Sequence, residues 1–373
     1  MDFGFNEDQQ LLRSAARDYL RAETPPSYAR AMMDDPIGTT EKVWRSLADL
    51  GWLGLTIPET LGGSGLGFLD LALLMEEAGG VVLPGPLMST TALATPAILA
   101  HGTDVQRQRL LPAIAAGRLR GTLAFAEAPG IWSTRAIAAT ADQNSGGYVL
   151  RGTKLFVPDA RSSDVVLVVT TIGDRFGLFL VPRDAAKLRI SPMHVIDETR
   201  KLDVVELDGV EVADADLLGG APLADVALDR LVDVARVLLS AEMCGAADAA
   251  LTLAVEYTKI RRQFDRPIAT FQAIQHKLAD MKVLLENARS LVYYSAWALD
   301  TRSDDERLSA AMTKAYASDA CVKVVADSIQ VHGGIGFTWE HDLHLYFKRV
   351  KSAELTYGDG SANRRTVAEL LDL

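Results

Sequence analysis

Cysteine is scarce in this chain. Cys244 and Cys321 are the only two in 373 residues. Neither has a partner at metal-ligand spacing, so no metal site is expected. Both sit in apolar helical text, which points to buried thiols in a reducing compartment. Positive charge is also short. A net charge of −11 excludes broad electrostatic attraction to nucleic acid or to an anionic membrane, although a local basic patch could still hold an anion. No run of about 18 uncharged apolar residues exists, so no membrane span is expected. Met1 to Leu12 carries Asp2, Glu7 and Asp8 and no apolar core, unlike a secretory signal. A cytoplasmic protein is the expectation. Low-complexity tracts and internal repeats are absent as well.

What is present is enough to fold. Hydrophobic residues make up 49% and charged residues 23%. That composition supports a sizeable core and two or three structural units. Three regions differ in texture, and together they predict an α+β chain. Residues 1–120 read as a helical domain. Leu11, Ala15, Asp18 and Arg21 belong to a charged amphipathic opening helix. Glu41 to Leu50 is a short helix closed by Gly51, and Leu69 to Ala78 one closed by Gly79-Gly80. Gly62-Gly63-Ser64-Gly65 reads as a plain turn, since no strand precedes it and no lysine follows.

Residues 121–222 read as a β domain, a small barrel or sandwich. Val165-Val166-Leu167-Val168-Val169 is a continuous buried-strand run. Gly177 to Val181 and Leu202 to Leu207 are shorter ones. Asp208-Gly209 is a hairpin-type signal. Residues 223–373 read as a four-helix bundle. Ile274, Leu278, Met281, Leu285, Ala288, Val292, Ser295 and Leu299 step by three and four. Ala311, Ala315, Ser318, Val322, Val325 and Ile329 do the same. Leu231–Thr258 and the C-terminal segment supply the other two helices.

Two segments of the last region carry chemistry. Arg261-Arg262-Gln263-Phe264 ends one helix, an Asp-Arg-Pro turn follows, and Gln272 opens the next helix. Arginine offers planar, permanently charged donors suited to a diphosphate, and an aromatic ring beside it can pack on a base. Read alone, the run is a helix C-terminus whose basic residues satisfy the last carbonyls. The second segment is Gln330-Val331-His332-Gly333-Gly334-Ile335-Gly336. A single glycine stops a helix, whereas three in four residues also let a backbone approach a ligand.

Both segments closely resemble signatures of the acyl-CoA dehydrogenase family. The similarity extends over nearly the whole chain, including Phe5-Asn6-Glu7-Asp8-Gln9 and Trp44 to Gly67. The resemblance implies FAD as cofactor and an acyl-CoA thioester as substrate. It implies electron-transfer flavoprotein or another acceptor as electron partner. It assigns Arg261, Gln263, Phe264, Gln272, Gln330, Gly333 and Gly334 to the adenosine diphosphate part of a neighbouring subunit's FAD. His276 and His332 fall within the matching motifs and read as packing or hydrogen-bonding residues.

The family reaction removes an acyl-CoA α-proton while the β-hydride passes to flavin. It needs a carboxylate base and donors around the flavin ring. Here three elements depart from the family pattern. Where the family has Thr-Glu-Pro and then Gly-Ser-Asp, this chain has Ala126-Glu127-Ala128-Pro129 and then Gly130-Ile131-Trp132-Ser133. Where it has Trp-Ile-Thr or Trp-Ile-Ser, this chain has Phe156-Val157-Pro158, and proline brings neither N–H nor hydroxyl. The base loop Tyr-Glu-Gly-Thr-Ser-Gln reads Tyr357-Gly358-Asp359-Gly360-Ser361-Ala362, so the glutamate position is Gly358. The alternative base position of some members falls on Ala235, again not an acid. Asp359, one residue away and a methylene shorter, is the remaining acid, and reacting atoms must sit near contact.

The departures sort by role. Elements serving the chain's own flavin ring are changed; those serving a neighbour's flavin tail are kept. This pattern resembles the non-catalytic subunit of bacterial heteromeric acyl-CoA dehydrogenases, which are associated with bulky acyl groups such as steroid side chains. Two alternatives are a homomeric enzyme using Asp359 and a flavin-free scaffold of the same fold.

Overall fold

The computed structural model describes residues 4–128 and 130–373; Asp2 and Pro129, named above, lie outside them. The chain divides into two compact units. One comprises Ala31–Gly67 and Pro84–Ala235. The other comprises the chain up to Arg30, Phe68–Leu83 and Arg236–Leu373.

The first unit joins short helices to a sheet. Helix α3 (Glu41–Asp49) starts at Thr40, whose side chain accepts the Val43 N–H at 3.3 Å. It ends before Gly51, which holds a left-handed φ of 77°. Helices α5 (Thr95–His101) and α6 (Asp104–Ala115) follow, α6 opening on a Thr103/Gln106 capping box. The Gly62–Gly65 turn is packed rather than free, since a Cβ on Gly63 would lie 2.0 Å from the Ile57 carbonyl.

The strands are β1 (Gly121–Ala124), β2 (Thr140–Asn144), β3 (Gly147–Pro158), β4 (Val165–Ile172), β5 (Arg175–Pro182), β6 (Leu188–Pro192) and β7 (Leu202–Val212). They form one curled, mixed sheet of seven strands. β4 pairs antiparallel with β5 along one edge; β1 and the start of β2 run parallel to it on the other. Its run Val165–Val169 is buried throughout, as expected for a strand covered on both faces. One sequence expectation fails here. Asp208-Gly209 is not a hairpin: β7 runs straight through it. Gly209, at φ 78°, is the extra residue of a bulge against Leu150 and Arg151 of β3.

The second unit is helical. Helices α1 (Glu7–Glu23) and α4 (Phe68–Gly80) pack with α7 (Asp225–Ile260, from Arg236 on), α8 (Gln272–Thr301), α9 (Glu306–His332), α10 (Leu343–Leu355) and α11 (Gly360–Leu370). The three–four stripes read from sequence became α8 and α9. The expected fourth helix is two, α10 and α11, broken at Thr356–Asp359.

Gly79 lies inside α4, which ends at Gly80. Gly79 instead permits close helix packing: a Cβ there would lie 2.0 Å from the Glu242 carbonyl, and one on Gly245 would lie 1.7 Å from the Glu76 carbonyl. Around this contact sits an acid pair. Glu76 accepts from Arg289 at 2.8 Å and Arg13 at 3.2 Å, and Glu77 from Arg17 at 2.6 Å. Arg13 and Arg17 are one helical turn apart on α1, which is why its charged face turns inward here. By length and composition α7 alone among the described helices could cross a membrane, but 78% of its most apolar window is buried, as in a core helix.

Candidate functional site

The helical unit places the two signature segments at helix ends. Arg261 follows α7, its N–H bonded to the Tyr257 carbonyl at 2.8 Å. Arg262-Gln263 (β8) and Arg266-Pro267 (β9) form a small hairpin. Its tip, Phe264 and Asp265, takes φ values of 50° and 63°, as a type I′ turn requires. Phe264 is 86% exposed and meets Phe271 edge-on at 6.1 Å. Arg266 lies 4.1 Å over the Phe271 ring, and Gln263 donates to the Arg262 carbonyl. Gln272 begins α8, whose N-terminus has no side-chain cap. The side chains of Arg261, Gln272 and Gln330 are exposed, and none has a hydrogen bond or ion pair among the described residues.

The glycine loop leaves α9. Gly333 has φ 67°, and a Cβ on Gly333 or Gly334 would meet nothing within 4 Å. Packing inside this chain therefore does not call for glycine at 334, which has no left-handed φ either. An external group approaching the backbone does. The Tyr257 and His332 rings stack with centroids 4.3 Å apart, tying the end of α7 to the end of α9. Hairpin and glycine loop thus depart from neighbouring helix ends. The donor set fits a dinucleotide tail: free guanidinium, carboxamides, approachable backbone and an exposed aromatic ring. His276 is exposed, whereas His332 is buried and bonds the Ser328 carbonyl at 2.8 Å.

The loop at the base position is held from within. Tyr357 and Gly358 adopt φ values of 58° and 91°. Arg236 Nε donates to the Tyr357 carbonyl at 3.2 Å. Lys314 Nζ donates to the carbonyls of Gly358 at 2.9 Å and Glu354 at 2.8 Å, and lies 3.0 Å from Ser318 Oγ. Buried Asn363 donates to the Gly358 carbonyl at 2.8 Å and the Asp359 carbonyl at 3.0 Å. The Asp359 carboxylate caps α11, accepting the Ala362 N–H at 2.7 Å. Ala235 is a fully buried methyl on α7.

Sequence reasoning missed Lys314, Arg236 and Asn363. The visible signal was a lysine on α9 between apolar-face positions Ala311, Ala315 and Ser318. Burial, reinforced by nearby Arg236, pushes the Lys314 ammonium down to about 7 from 10.5. Between pH 7 and 10.5 the unfolded lysine holds a proton that the folded one sheds, so this group makes stability rise with pH across that window. Lys314→Met should flatten the rise. Urea midpoints measured at pH 7, 8 and 9 check this; parallel profiles for the two proteins would refute it.

In the sheet unit, Glu127 is a scaffold hub. Its carboxylate accepts from Lys154 at 2.6 Å and from the Ala138 and Ala139 N–H groups at 3.0 Å. Burial pushes Lys154 down to about 8, against the opposing pull of Glu127. Phe156, at φ 55°, donates its N–H to Met193 Sδ. Its ring reaches to 3.3 Å of where a Gly130 Cβ would stand. Ala126 is buried, and Pro158 ends β3.

Family models match this chain over residues 6–118 (acyl-CoA dehydrogenase, N-terminal domain) and 224–371 (acyl-CoA dehydrogenase, C-terminal domain). Over 367 residues the chain is 32% identical to acyl-CoA dehydrogenase IpdE2 of Mycolicibacterium smegmatis, covering 98% of this chain and 99% of that one. A solved Tcur3481-Tcur3483 steroid ACAD variant superposes with TM-score 0.89 at 34% identity, over 98% of both chains. The ChsE4-ChsE5 complex of Mycobacterium tuberculosis gives TM-score 0.91 at 26% identity, over 100% of this chain and 99% of that one.

Proposed function

The chain belongs to the acyl-CoA dehydrogenase family, a family of oxidoreductases, and from that premise we propose that it completes the FAD site of a homologous catalytic partner without supplying the base. The observation that carries this reading is the loop at 357–359. Gly358 brings no acid, and Asp359, the one carboxylate beside it, is engaged as a helix cap. Ala235 offers a methyl group. Meanwhile the Arg261 and Gln330 side chains have no hydrogen bond or ion pair among the described residues, and the space beside the Gly333 and Gly334 Cα atoms is open.

FAD, when bound, supplies the hydride acceptor. In this reading Arg261 neutralises its diphosphate, Gln272 and Gln330 add neutral donors, Phe264 covers the base, and the glycines admit the phosphates. The partner supplies the carboxylate that takes the α-proton. Two of the similar structures are named as pairs of chains, and one of these as a steroid enzyme. That supports a heteromer acting on a bulky acyl-CoA, with electron-transfer flavoprotein as one possible class of acceptor. The visible spectrum tests the reading. The chain purified alone should be colourless, and the chain co-expressed with its catalytic partner should be yellow. A yellow chain that turns over acyl-CoA unaided would overturn it.

Restoring the missing acid should not restore activity. Gly358→Glu places an L side chain at φ 91° with its Cβ 3.0 Å from Asn363 Nδ2. The backbone term alone costs about 1–3 kcal/mol. The loop would have to move, and its carbonyls are fastened to Lys314 and Arg236. The expected result is lower stability and no dehydrogenation by the variant without a partner. Measurable turnover by that variant would contradict the half-site reading.

A further inference from the structure

The glycine loop leaves α9 at His332, turns in a 3-10 helix over Gly333–Phe337 and enters α10 at Leu343, and imidazoles join its two ends. His332 and His341 meet edge-on with centroids 4.7 Å apart, and His332 also stacks on Tyr257. His332 Nδ1 lies 2.8 Å from the Ser328 carbonyl, so that nitrogen carries the proton. His341 Nδ1 accepts the Leu343 N–H at 3.2 Å, so that nitrogen must keep its lone pair. A third ring, His344, stacks beneath Trp339 at 4.7 Å. Its Nε2 lies 3.2 Å from the Trp339 carbonyl and 3.3 Å from Arg30 Nη2, and its Nδ1 is buried with no partner among the described residues. Arg30 of α2 (Pro26–Ala31) ties the same strap. It bonds Asp342 at 2.8 Å and the His341 carbonyl at 3.2 Å, and stands 5.6 Å over Trp339.

The Leu343 N–H at His341 and the Arg30 guanidinium at His344 suit neutral rings, whereas the Ser328 and Trp339 carbonyls favour charge. A second proton on His341 removes the acceptor for Leu343. One on His344 gives it both a buried, unanswered Nδ1–H and an Nε2–H facing the Arg30 guanidinium, where the neutral ring carries one of the two. One on His332 sets a cation against the edge of another imidazole. We propose that the His332–His341 contact, seated on His344 and Arg30, is a proton-sensitive latch that positions the Gly333–Trp339 loop and releases it on acidification. The latch stands on its own geometry. Its consequence for FAD rests on the half-site reading above.

The surrounding charges are mixed in sign, and burial sets the direction. His332 faces Tyr257 from α7, the Ser328 carbonyl from α9, and His341. His341 faces Asp342, which favours its charged form, and Arg30, which opposes it. His344 faces Arg30 and Lys348, which oppose charge, and Asp342, which favours it. Burial is the largest influence on all three, and all three are held below the ordinary 6.5. An opened loop therefore takes up protons more readily than a closed one. Closure is fully favoured above pH 6.5 and weakens as pH falls below it.

Hydrogen exchange on the full chain between pH 5 and 8, corrected for intrinsic rates, reads the latch directly. Protection of residues 333–342 should fall on acidification by up to about tenfold per pH unit for each proton taken up. The amides in the middle of α8 should keep theirs. His341→Asn retains an acceptor for the Leu343 N–H but cannot gain a proton, so its loop profile should be shallower than that of the wild type. A pH-independent loop in the wild type overturns the proposal. So does loss of protection that matches α8 at every pH, or a His341→Asn profile identical to wild type. Should His341→Asn fail to fold, the wild-type loop-against-α8 comparison still decides. FAD retention by the partnered complex is measured over the same range. A loop that opens while FAD retention stays flat would leave the latch standing and refute the half-site reading.

Discussion

Arg349→Met is expected to destabilise the chain by about 3–5 kcal/mol, as measured by urea unfolding at neutral pH. Arg349, on α10, is 1% exposed. Its Nη1 donates to Glu242 on α7 at 2.7 Å and to the Leu83 carbonyl at 3.1 Å. The Glu242 side chain is 4% exposed. The pair by itself is no strong source of stability, because removing two ions from water costs about what their attraction returns. Breaking it is another matter, since methionine takes the Arg349 charge away from a carboxylate that is buried. A domain stable by roughly 5–15 kcal/mol loses a large share of that margin. Glu242→Leu combined with Arg349→Met should regain most of the loss, because no charge is then stranded. A single variant within about 1 kcal/mol of wild type, or a double variant worse than the single, would show that the pair is better solvated than its burial indicates. The site depends on this contact indirectly. α7 ends in the Arg261 hairpin and α10 ends in the 357–359 loop, so the pair fixes the two helices that carry them.

The periodic parts of the fold were legible in the sequence, and the tertiary uses of single residues were not. Stripes at three and four residues declared α8 and α9, because that spacing has few other solutions. The Val165–Val169 run declared a covered strand. Gly79 misled because a glycine that stops a helix and one that lets another helix approach are the same letter. The difference lies in Glu242 and Gly245, far along the chain. Asp208-Gly209 misled for a related reason: a left-handed glycine serves a bulge as well as a hairpin, and only the β3 register separates them. At the base loop, sequence showed that the glutamate was missing but weighed Asp359 as a possible substitute. An Asp just before a helix is also an N-cap, and that is where its carboxylate is bonded. Lys314 went unread because a lysine on a helix normally points to water. What makes it a clamp is the row of carbonyls from Glu354 and Gly358, which no local pattern announces.

Arg261→Ala should leave the chain folded and paired yet weaken its grip on FAD. The Arg261 side chain is exposed and has no hydrogen bond or ion pair among the described residues, so stability should change by no more than about 0.5 kcal/mol. Against a diphosphate the same guanidinium forms charge-assisted hydrogen bonds, worth about 1.5–3 kcal/mol. At about 1.4 kcal/mol per tenfold, the expected loss is on the order of tenfold to a hundredfold in FAD affinity. Gln330→Ala should act in the same direction but less, since a neutral donor contributes about 0.5–1.5 kcal/mol. Asp359→Asn is the control from the other loop. Asparagine caps a helix about as well as aspartate, so both stability and turnover of the complex should hold. The measurement is an FAD titration of each variant co-purified with its catalytic partner, followed by an assay of the reconstituted complex. The informative contrast is between the two loops. An untouched FAD affinity in Arg261→Ala together with abolished turnover in Asp359→Asn would mean that this chain carries the base and leaves the flavin tail to others, the reverse of the assignment made from its geometry.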